Sequence, residues 1–380
     1  MNHHDKYTHW FNPQNDLALA NGNPNFTAPT SAVQLALAGA CLPMWYGKSG
    51  DCFIGAVNAG WYKDICDAFG IGVSPTMGAT PGSVPMPWGW SPQACKFLSE
   101  FGFDDKVLPS EAVIDILRDK SSRVYGARVI ASIMEALPEM TAGNPTPFLP
   151  AIATSAEDVN SYIESHGVTM IKLPWSGSGR GQQVTDRTTP VELARRIAGM
   201  LNRQGAVEVS PYYHKRLDFA MLWDAGHFIG YSLFETDTHG GWTHNILLRD
   251  ADIEERIVRS VGRSIDMKRI VRVMTHILDE AFGVYEGPLG VDFIVADPDV
   301  MVPVEINMRR TMGHVAHNLA NRFMAPESAG IFSITPKANA DEPFHTVKDC
   351  IISSGHLVNG RLDIVPPGGN FRFVFSASPH

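Results

Sequence analysis

The stretch "GVDFIVADPDVMVPVEINMRR", residues 290–310, restricts what this chain can fold into more than any other. With Pro298 and Asp299 as a turn, it reads as two antiparallel strands whose opposite residues have numbers summing to 597, so Asp292 faces Glu305. Alternation puts Asn307 on the same face and sends Val291, Phe293, Val295, Val302, Val304 and Ile306 to the other, which is core. Two carboxylates with Cβ atoms about 5 Å apart repel, and a fold keeps them adjacent if one is protonated or a cation lies between them. Oxygen donors of this kind suit magnesium, which retains waters and completes its shell with phosphate oxygens. Arg309 and Arg310 follow directly, as groups for phosphate or carboxylate. Pro303 cannot donate to the ladder and implies an edge strand, a bulge or a shifted register. The competing reading is a surface hairpin whose polar face is simply solvated.

A second stretch, "MIKLPWSGSGRGQQV", residues 170–184, looks like a phosphate loop and matches neither common type. Gln182 and Gln183 follow Gly181 where a Walker loop needs Lys and Ser or Thr. The spacing of Gly177, Gly179 and Gly181 is G-x-G-x-G, where a dinucleotide fingerprint reads G-x-G-x-x-G and opens into a helix. Apolar and β-branched residues before it, and "QQVTD" after it, predict a β-hairpin with a glycine-rich tip. The next helix starts only at "TTPVELARRIAGML". Such a tip can lay backbone N–H groups over a triphosphate as a lid, with Lys172 reaching the same anion. An ordinary surface hairpin carrying a lysine is the alternative.

The 380 residues suffice for two or three domains, and 44% hydrophobic with 19% charged is ordinary globular composition. Lys and Arg total 31 against 40 Asp and Glu, a formal charge of −9, which sets nucleic acid aside as a partner. Cys41, Cys52, Cys66, Cys95 and Cys350 are odd in number and lack C-x-x-C spacing, so neither a disulfide framework nor a structural zinc site is expected. The start "MNHHDKYTHW" has no apolar leader core, and no run of about 18 uncharged apolar residues occurs, which predicts a cytoplasmic protein without a membrane span. Residues 1–112 alternate short apolar runs with helical ones, the pattern of a layered α/β domain. Residues 113–205 carry helices and the glycine hairpin. Residues 206–380 carry two hairpins around the helix "DMKRIVRVMTHILDEAF", and the tail "GRLDIVPPGGNFRFVFSA" reads as two short strands around a Pro-Gly turn.

A strand lysine before a glycine flap, Glu208 in the hydrophobic stretch "AVEVSPYY", and the late set Asp292, Glu305, Asn307 and Arg309 occur in that order, and together they resemble the ATP-grasp enzymes. The similarity spans roughly Leu117 to Asn318. The resemblance implies an α/β chain of the ATP-grasp fold, with two nucleotide-holding α+β lobes preceded by a small α/β domain. It gives Lys172 and the flap residues Ser176, Gly177, Ser178, Gly179 and Arg180 to the phosphates of ATP. Glu208 and its neighbours Val209 and Tyr212 go to adenine or ribose. Asp292, Glu305 and Asn307 go to Mg2+, with Mn2+ as an alternative, and Lys172, Arg309 and Arg310 to the transferring group. The family's earlier phosphate-binding cation has its best match in Lys120, with Arg123 and Arg128 as competitors. His244 stands where some members contact nucleotide or substrate, and is otherwise a solvated histidine. Asp218 could orient Lys172, meet the ribose, or merely end a strand. Trp175 either covers the nucleotide or anchors the lid. Asn12, Asn15, Asp16, Asn21, Asn23 and Asn25 crowd one N-terminal stretch, where side-chain turns compete with substrate recognition.

The reaction implied is ATP-dependent ligation of a small-molecule carboxylate to an amine or thiol through an acyl phosphate, with amino acids or peptides among the candidate substrates and a homodimer allowed. A phosphotransferase stopping at a phosphorylated hydroxyl and a nucleotide-binding regulator without turnover are the alternatives.

Overall fold

The computed structural model describes residues 6–176, 181–187, 189–238, 240–337 and 343–379. In the leading unit β1 (Lys6–Trp10) is followed by α1 (Asn15–Asn21) and α2 (Thr30–Ala38), β2 (Cys52–Ile54), α3 (Ala59–Phe69), β3 (Ser74–Thr76), β4 (Ser83–Pro87) and α4 (Pro92–Phe101). The strands are parallel in the order β3-β2-β1-β4, which requires crossovers between them. Local chemistry sets the helix ends. Asn58 and Ser91 cap α3 and α4 through their side-chain oxygens, and Gly70 and Gly102 close them at φ 66° and 109°. The apolar run "LPMWYG" forms a single 3-10 turn, Leu42–Trp45, with Pro43 in its first positions.

Next come α5 (Glu111–Lys120), α6 (Arg123–Ala136), β5 (Ala151–Ala153), α7 (Ala156–His166), β6 (Thr169–Lys172), β7 (Gln182–Val184), α8 (Pro190–Gln204) and β8 (Val207–Pro211). The strands pair antiparallel in the order β5-β8-β6-β7, with Lys172 opposite Gln182, so the glycine stretch does tip a β-hairpin. Residues 177–180 at that tip lie outside the described residues. α7 and α8 seal one side of this sheet with Val159, Tyr162, Ile197 and Met200 against Ile171, Val207 and Val209.

The remainder is β9 (Lys215–Asp224), β10 (His227–Thr236), β11 (Trp242–Leu247), α9 (Asp250–Val261), α10 (Met267–Phe282), β12 (Leu289–Ala296), β13 (Val300–Asn307), α11 (Met312–Asn318), β14 (Ser328–Pro336), β15 (Ile351–Ser353), β16 (His356–Asp363) and β17 (Phe371–Pro379). These strands form one antiparallel sheet, β13-β12-β9-β10-β11-β14-β17-β16-β15. α6, α9 and α10 cover one face of it. There Met267, Ile270, Met274 and Leu278 of α10 share a core with Phe219 and Phe293, whose rings stack 5.0 Å apart. Val273 and Ile277 of the same helix pack at the margin of that core. The far half of the sheet shares a second core with the leading unit: Phe11 and Trp45 pack with Phe323, Phe332, Phe373 and Phe375, and the Trp45 indole donates to Ile364 O at 2.9 Å. Gly39 permits this approach, since a Cβ there would lie 2.4 Å from the Phe11 ring and 2.8 Å from that of Phe373. Among the described residues no helix is long and apolar enough to cross a membrane.

α11 is held by a fully buried histidine. His314 Nδ1 accepts from the Thr311 backbone N–H at 3.1 Å, which leaves the proton on Nε2 to donate to Trp223 O at 3.2 Å. Burial, reinforced by the charge of Arg310, pushes its pKa well below the usual imidazole value. A depressed histidine binds its proton more readily unfolded, so its contribution is complete above the unfolded pKa of about 6.5 and is lost as pH falls toward the folded value. Urea unfolding followed from pH 7.5 down to pH 5 should therefore show stability falling faster in the native chain than in His314→Gln, by up to about 1.4 kcal/mol per pH unit. Parallel curves for the two proteins would contradict the buried neutral imidazole.

Candidate functional site

The hairpin β12–β13 brings Asp292 opposite Glu305, Val291 opposite Ile306 and Gly290 opposite Asn307. Nearer the turn the register is shifted by one: Phe293 pairs Pro303, Ile294 pairs Val302 and Ala296 pairs Val300. The connection is thus three residues, Asp297–Asp299, where the sequence suggested a two-residue turn. A one-residue bulge at Val304 cancels the difference before the carboxylates are reached. Pro303 is accommodated twice over, beside the bulge and on an edge strand. Val304, expected on the core row, has no partner across the hairpin and lines the cavity described below.

Asn307 Nδ2 donates to Asp292 Oδ2 at 3.0 Å, so the acid, acid and amide stand together. Burial, with Glu305 as a like charge, pushes Asp292 up to about 7. Burial also opposes ionisation of Glu305, but Arg123, Lys172 and Arg309 outweigh it and hold that carboxyl below its usual range. Among the described residues no group of three or more His, Cys, Asp or Glu side chains is arranged to hold a metal. Two carboxylates and an amide leave most of a coordination shell open, which fits an ion that takes one or two protein carboxylates and completes itself with water and phosphate oxygens.

Beside this pair lies a cavity of about 280 Å³ between the two antiparallel sheets. Lys172 crosses its floor, 7% exposed, with Nζ 3.2 Å from Glu208 Oε1 and 2.9 Å from the Val304 carbonyl it donates to. Glu208, itself 2% exposed, therefore orients Lys172. Asp218 does not: it lines the cavity and is bound by Lys215 Nζ at 2.6 Å and by the Thr236 hydroxyl at 3.0 Å. Tyr212 and Tyr213 form a wall. Val209 lies in mid-sheet with its side chain in the core and is not part of the lining; Ser210 and Pro211, further along the strand, are.

Of the three early cations, Arg123 reaches the site. Its guanidinium, 6% exposed, donates to Leu173 O at 3.0 Å, Ser176 Oγ at 2.7 Å and Ser176 O at 2.9 Å, and pairs with Glu305. Lys120, the best match by sequence, points away: its ammonium is bound by Ala281 O at the end of α10 and by Tyr125 OH. Ser176 is thus in place at the foot of the flap, whereas Gly177, Ser178, Gly179 and Arg180 fall outside the described residues. Trp175 is an anchor. Its backbone is clasped on both sides by the Gln204 amide, and its indole donates to Arg118 O at 3.1 Å with the Arg118 guanidinium over the ring.

The two adjacent arginines diverge. Arg309 stays by the acids and is paired with Asp16 at 2.8–2.9 Å. Arg310, expected beside it, lies 4.2 Å from the ring centre of Tyr46 in the leading unit and lines none of the cavities around the carboxylates. His244 is also absent from those linings; it stands on β11 with Nε2 3.7 Å from Glu235. Asn12 and Asn15 are buried. Asn12 donates to Gly89 O at 2.9 Å, and Asn15 reaches the same carbonyl with its amide turned, so the asparagine-rich stretch mainly ties β1 to the loop after β4. Asn23 accepts from Asn25 N in a local turn. Lys215 and Thr236 were not singled out by sequence, and Asp16 was named in the N-terminal stretch without its partner Arg309. The first two are defined by the β9–β10 register, and Asp16 by a contact 293 residues distant.

No protein-family model and no curated protein matches the sequence. Solved structures do match by shape. The biotin carboxylase domain of the Hydrogenobacter thermophilus 2-oxoglutarate carboxylase, solved with MgADP, ADP and bicarbonate, aligns with TM-score 0.51 and 14% identity over 99% of this chain and 87% of that one. Phosphoribosylamine–glycine ligase from Thermotoga maritima gives TM-score 0.49 and 13% identity over 98% and 92%. N5-carboxyaminoimidazole synthetase from Staphylococcus aureus, complexed with ADP, gives 0.46 and 12% over 88% and 84%. At such identities the first of these likenesses speaks to architecture and not to reaction. An α/β leading unit, a small sheet ending in a glycine hairpin and a large sheet carrying paired acids opposite it: the chain has the ATP-grasp fold.

Proposed function

We propose that this chain is an ATP- and magnesium-dependent ligase that joins a carboxylate to an amine, or to a thiol, through an acyl phosphate and releases ADP and phosphate. The observation that carries this reading is the half-buried Asp292–Glu305 pair, flanked by Asn307 and sharing one cavity with Lys172. Magnesium, when bound by Asp292, Glu305 and Asn307, would neutralise the phosphate oxygens. Lys172 would bind the same phosphates, with Arg123 as the second cation once released from Glu305. Tyr212, Tyr213 and Phe234 offer flat apolar walls to a nucleobase, and Asp218 with Lys215 an acceptor and a donor to a ribose. Arg309, held by Asp16, would orient the substrate carboxylate for in-line attack on the terminal phosphoryl group.

No protein nucleophile is needed, and the thiols offer none. Burial pushes Cys41 up to about 12, and Cys95 and Cys350 to about 11, keeping them protonated. That the 2-oxoglutarate carboxylase domain of the same fold was solved in complex with both MgADP and bicarbonate supports a magnesium nucleotide and an acid as ligands here.

The test is to incubate the protein with ATP, magnesium and candidate carboxylates in the presence of hydroxylamine. ADP, free phosphate and an acyl hydroxamate are expected. A phosphate retained on a hydroxyl would make the chain a kinase, and AMP with pyrophosphate would mean an adenylate route. Glu305→Gln keeps shape and removes a metal-ligating charge, so turnover should collapse in a folded protein; full activity at low magnesium would refute the metal site. Arg123→Gln should weaken Mg-ADP binding in calorimetry by about 1.5–3 kcal/mol through loss of a charged phosphate contact, while Lys120→Ala leaves it unchanged. The opposite ranking would restore Lys120 to the site.

A further inference from the structure

A second cavity, of about 170 Å³, adjoins the carboxylate pair on the same face of the large sheet. One end of it, at Arg123, Gln182, Asp292, Glu305 and Asn307, is the end that phosphates would share. The other end, at Trp242, Asn245, Met312 and Gly313, is no part of the larger cavity assigned to the nucleotide. The register fixes which side chains look into it. Asp292 pairs with Ala220, Ala220 with Ser232, Phe234 with Asn245 and Thr236 with Trp242, so all of these occupy one face. The indole thus stands three strands away from Asp292, across β9 and β10, and four from Glu305.

That indole is held in place. Trp242 Nε1 donates to Asn245 Oδ1 at 3.1 Å, and Asn245, 1% exposed, is fixed in turn by donating to Ser232 Oγ at 2.9 Å and Leu233 O at 3.3 Å. Its N–H is therefore satisfied within the protein, and what it offers a ligand is apolar ring surface, flanked by Met312. Gly313 lets α11 lie close on β10 at this end, since a Cβ there would lie 3.2 Å from Ser232 Cβ and Oγ. An apolar cavity of about 150 Å³ accepts benzene; this one totals about 170 Å³ with its acid end included, so a ring would take most of it and leave space for little beyond the carboxylate.

We propose, resting on the ligase reading above, that the acid substrate is a carboxylate with an apolar, aromatic-sized tail, the carboxylate beside Arg309 and the tail on Trp242. A carboxylate as small as glycine would leave the indole end unfilled, and the cations among the described residues that line the cavity, Arg123 and Arg309, are paired with Glu305 and Asp16. Trp242 is then the residue that sets specificity.

The experiment compares ADP release by the full chain with propionate and with 3-phenylpropionate, using hydroxylamine as acceptor, for the native protein and for Trp242→Ala and Trp242→Phe. The ratio of kcat/KM, phenyl over methyl, should exceed ten in the native protein. It should fall about tenfold or more toward one in Trp242→Ala, mainly through KM, and be largely kept in Trp242→Phe. ADP release with a native ratio near one, or a ratio unmoved by Trp242→Ala, overturns the specificity assignment and leaves the ligase reading standing. If calorimetry shows Mg-ATP bound but neither acid elicits ADP or hydroxamate, while a hydroxyl compound is phosphorylated, the ligase reading fails and this inference with it.

Discussion

Everything around the site answers one electrostatic problem, the placing of Asp292 against Glu305, both half-buried, on a sheet edge. Two like charges out of water are tolerated only with compensation, and the fold supplies it from distant parts of the chain. Arg123 arrives from the start of α6, 182 residues before Glu305, Lys172 from the flap strand, and Arg309 from the end of β13 itself. Each cation is committed elsewhere as well: Arg123 to the flap base, Lys172 to Glu208, Arg309 to Asp16. The carboxylate pair is therefore the point at which leading unit, flap lobe and large sheet are electrostatically joined. A divalent cation arriving there would take over the compensation of Glu305 and free Arg123 for another anion.

The flap is built for this arrangement. Its foot is immobilised by Trp175, clasped by Gln204 and Arg118, and by Ser176, bound to Arg123. Arg118 also donates to Leu19 O and Ala20 O at the end of α1, so one side chain links the flap to the leading unit. On the returning side Gly181 has φ 74°, and a Cβ there would lie 2.9 Å from Leu173 Cδ1, so only glycine meets both demands. Both ends of the glycine segment are thereby fixed relative to Glu305, whatever the tip does.

The strands, the hairpins and the facing acids were legible in the sequence because their signals are local: alternation, turn residues and spacing. The pairing of Asp292 with Glu305 was correct for a subtle reason. The turn was read one residue short and the bulge at Val304 was not foreseen, and the two differences cancel. What was not legible depends on long-range contact. No periodicity says that Arg123 rather than Lys120 faces the acids. That choice follows from the helix break between α5 and α6, which turns Lys120 toward Ala281 and starts α6 with Arg123 at Leu173 and Ser176. Asp16, in a stretch that reads as side-chain turns, acquires its role only when the leading unit docks.

That docking explains why neighbouring arginines have separate duties. Beyond β13 successive side chains point to opposite sides, so Arg309 remains with the acids while Arg310 is carried to the leading unit. There its backbone N–H donates to Trp88 O at 2.9 Å and its guanidinium lies on Tyr46, which His9, held by Asp51 at 3.0 Å, meets edge-on. Gly89, next to Trp88, packs so closely that a Cβ would lie 2.4 Å from the Asn15 amide and 3.2 Å from Arg309 Cβ. The orientation of Arg309 is thus set by the leading unit on both sides, by Asp16 through charge and by Gly89 through contact. Arg309 thus lines the second cavity in an orientation set by a unit that contributes none of that cavity's lining.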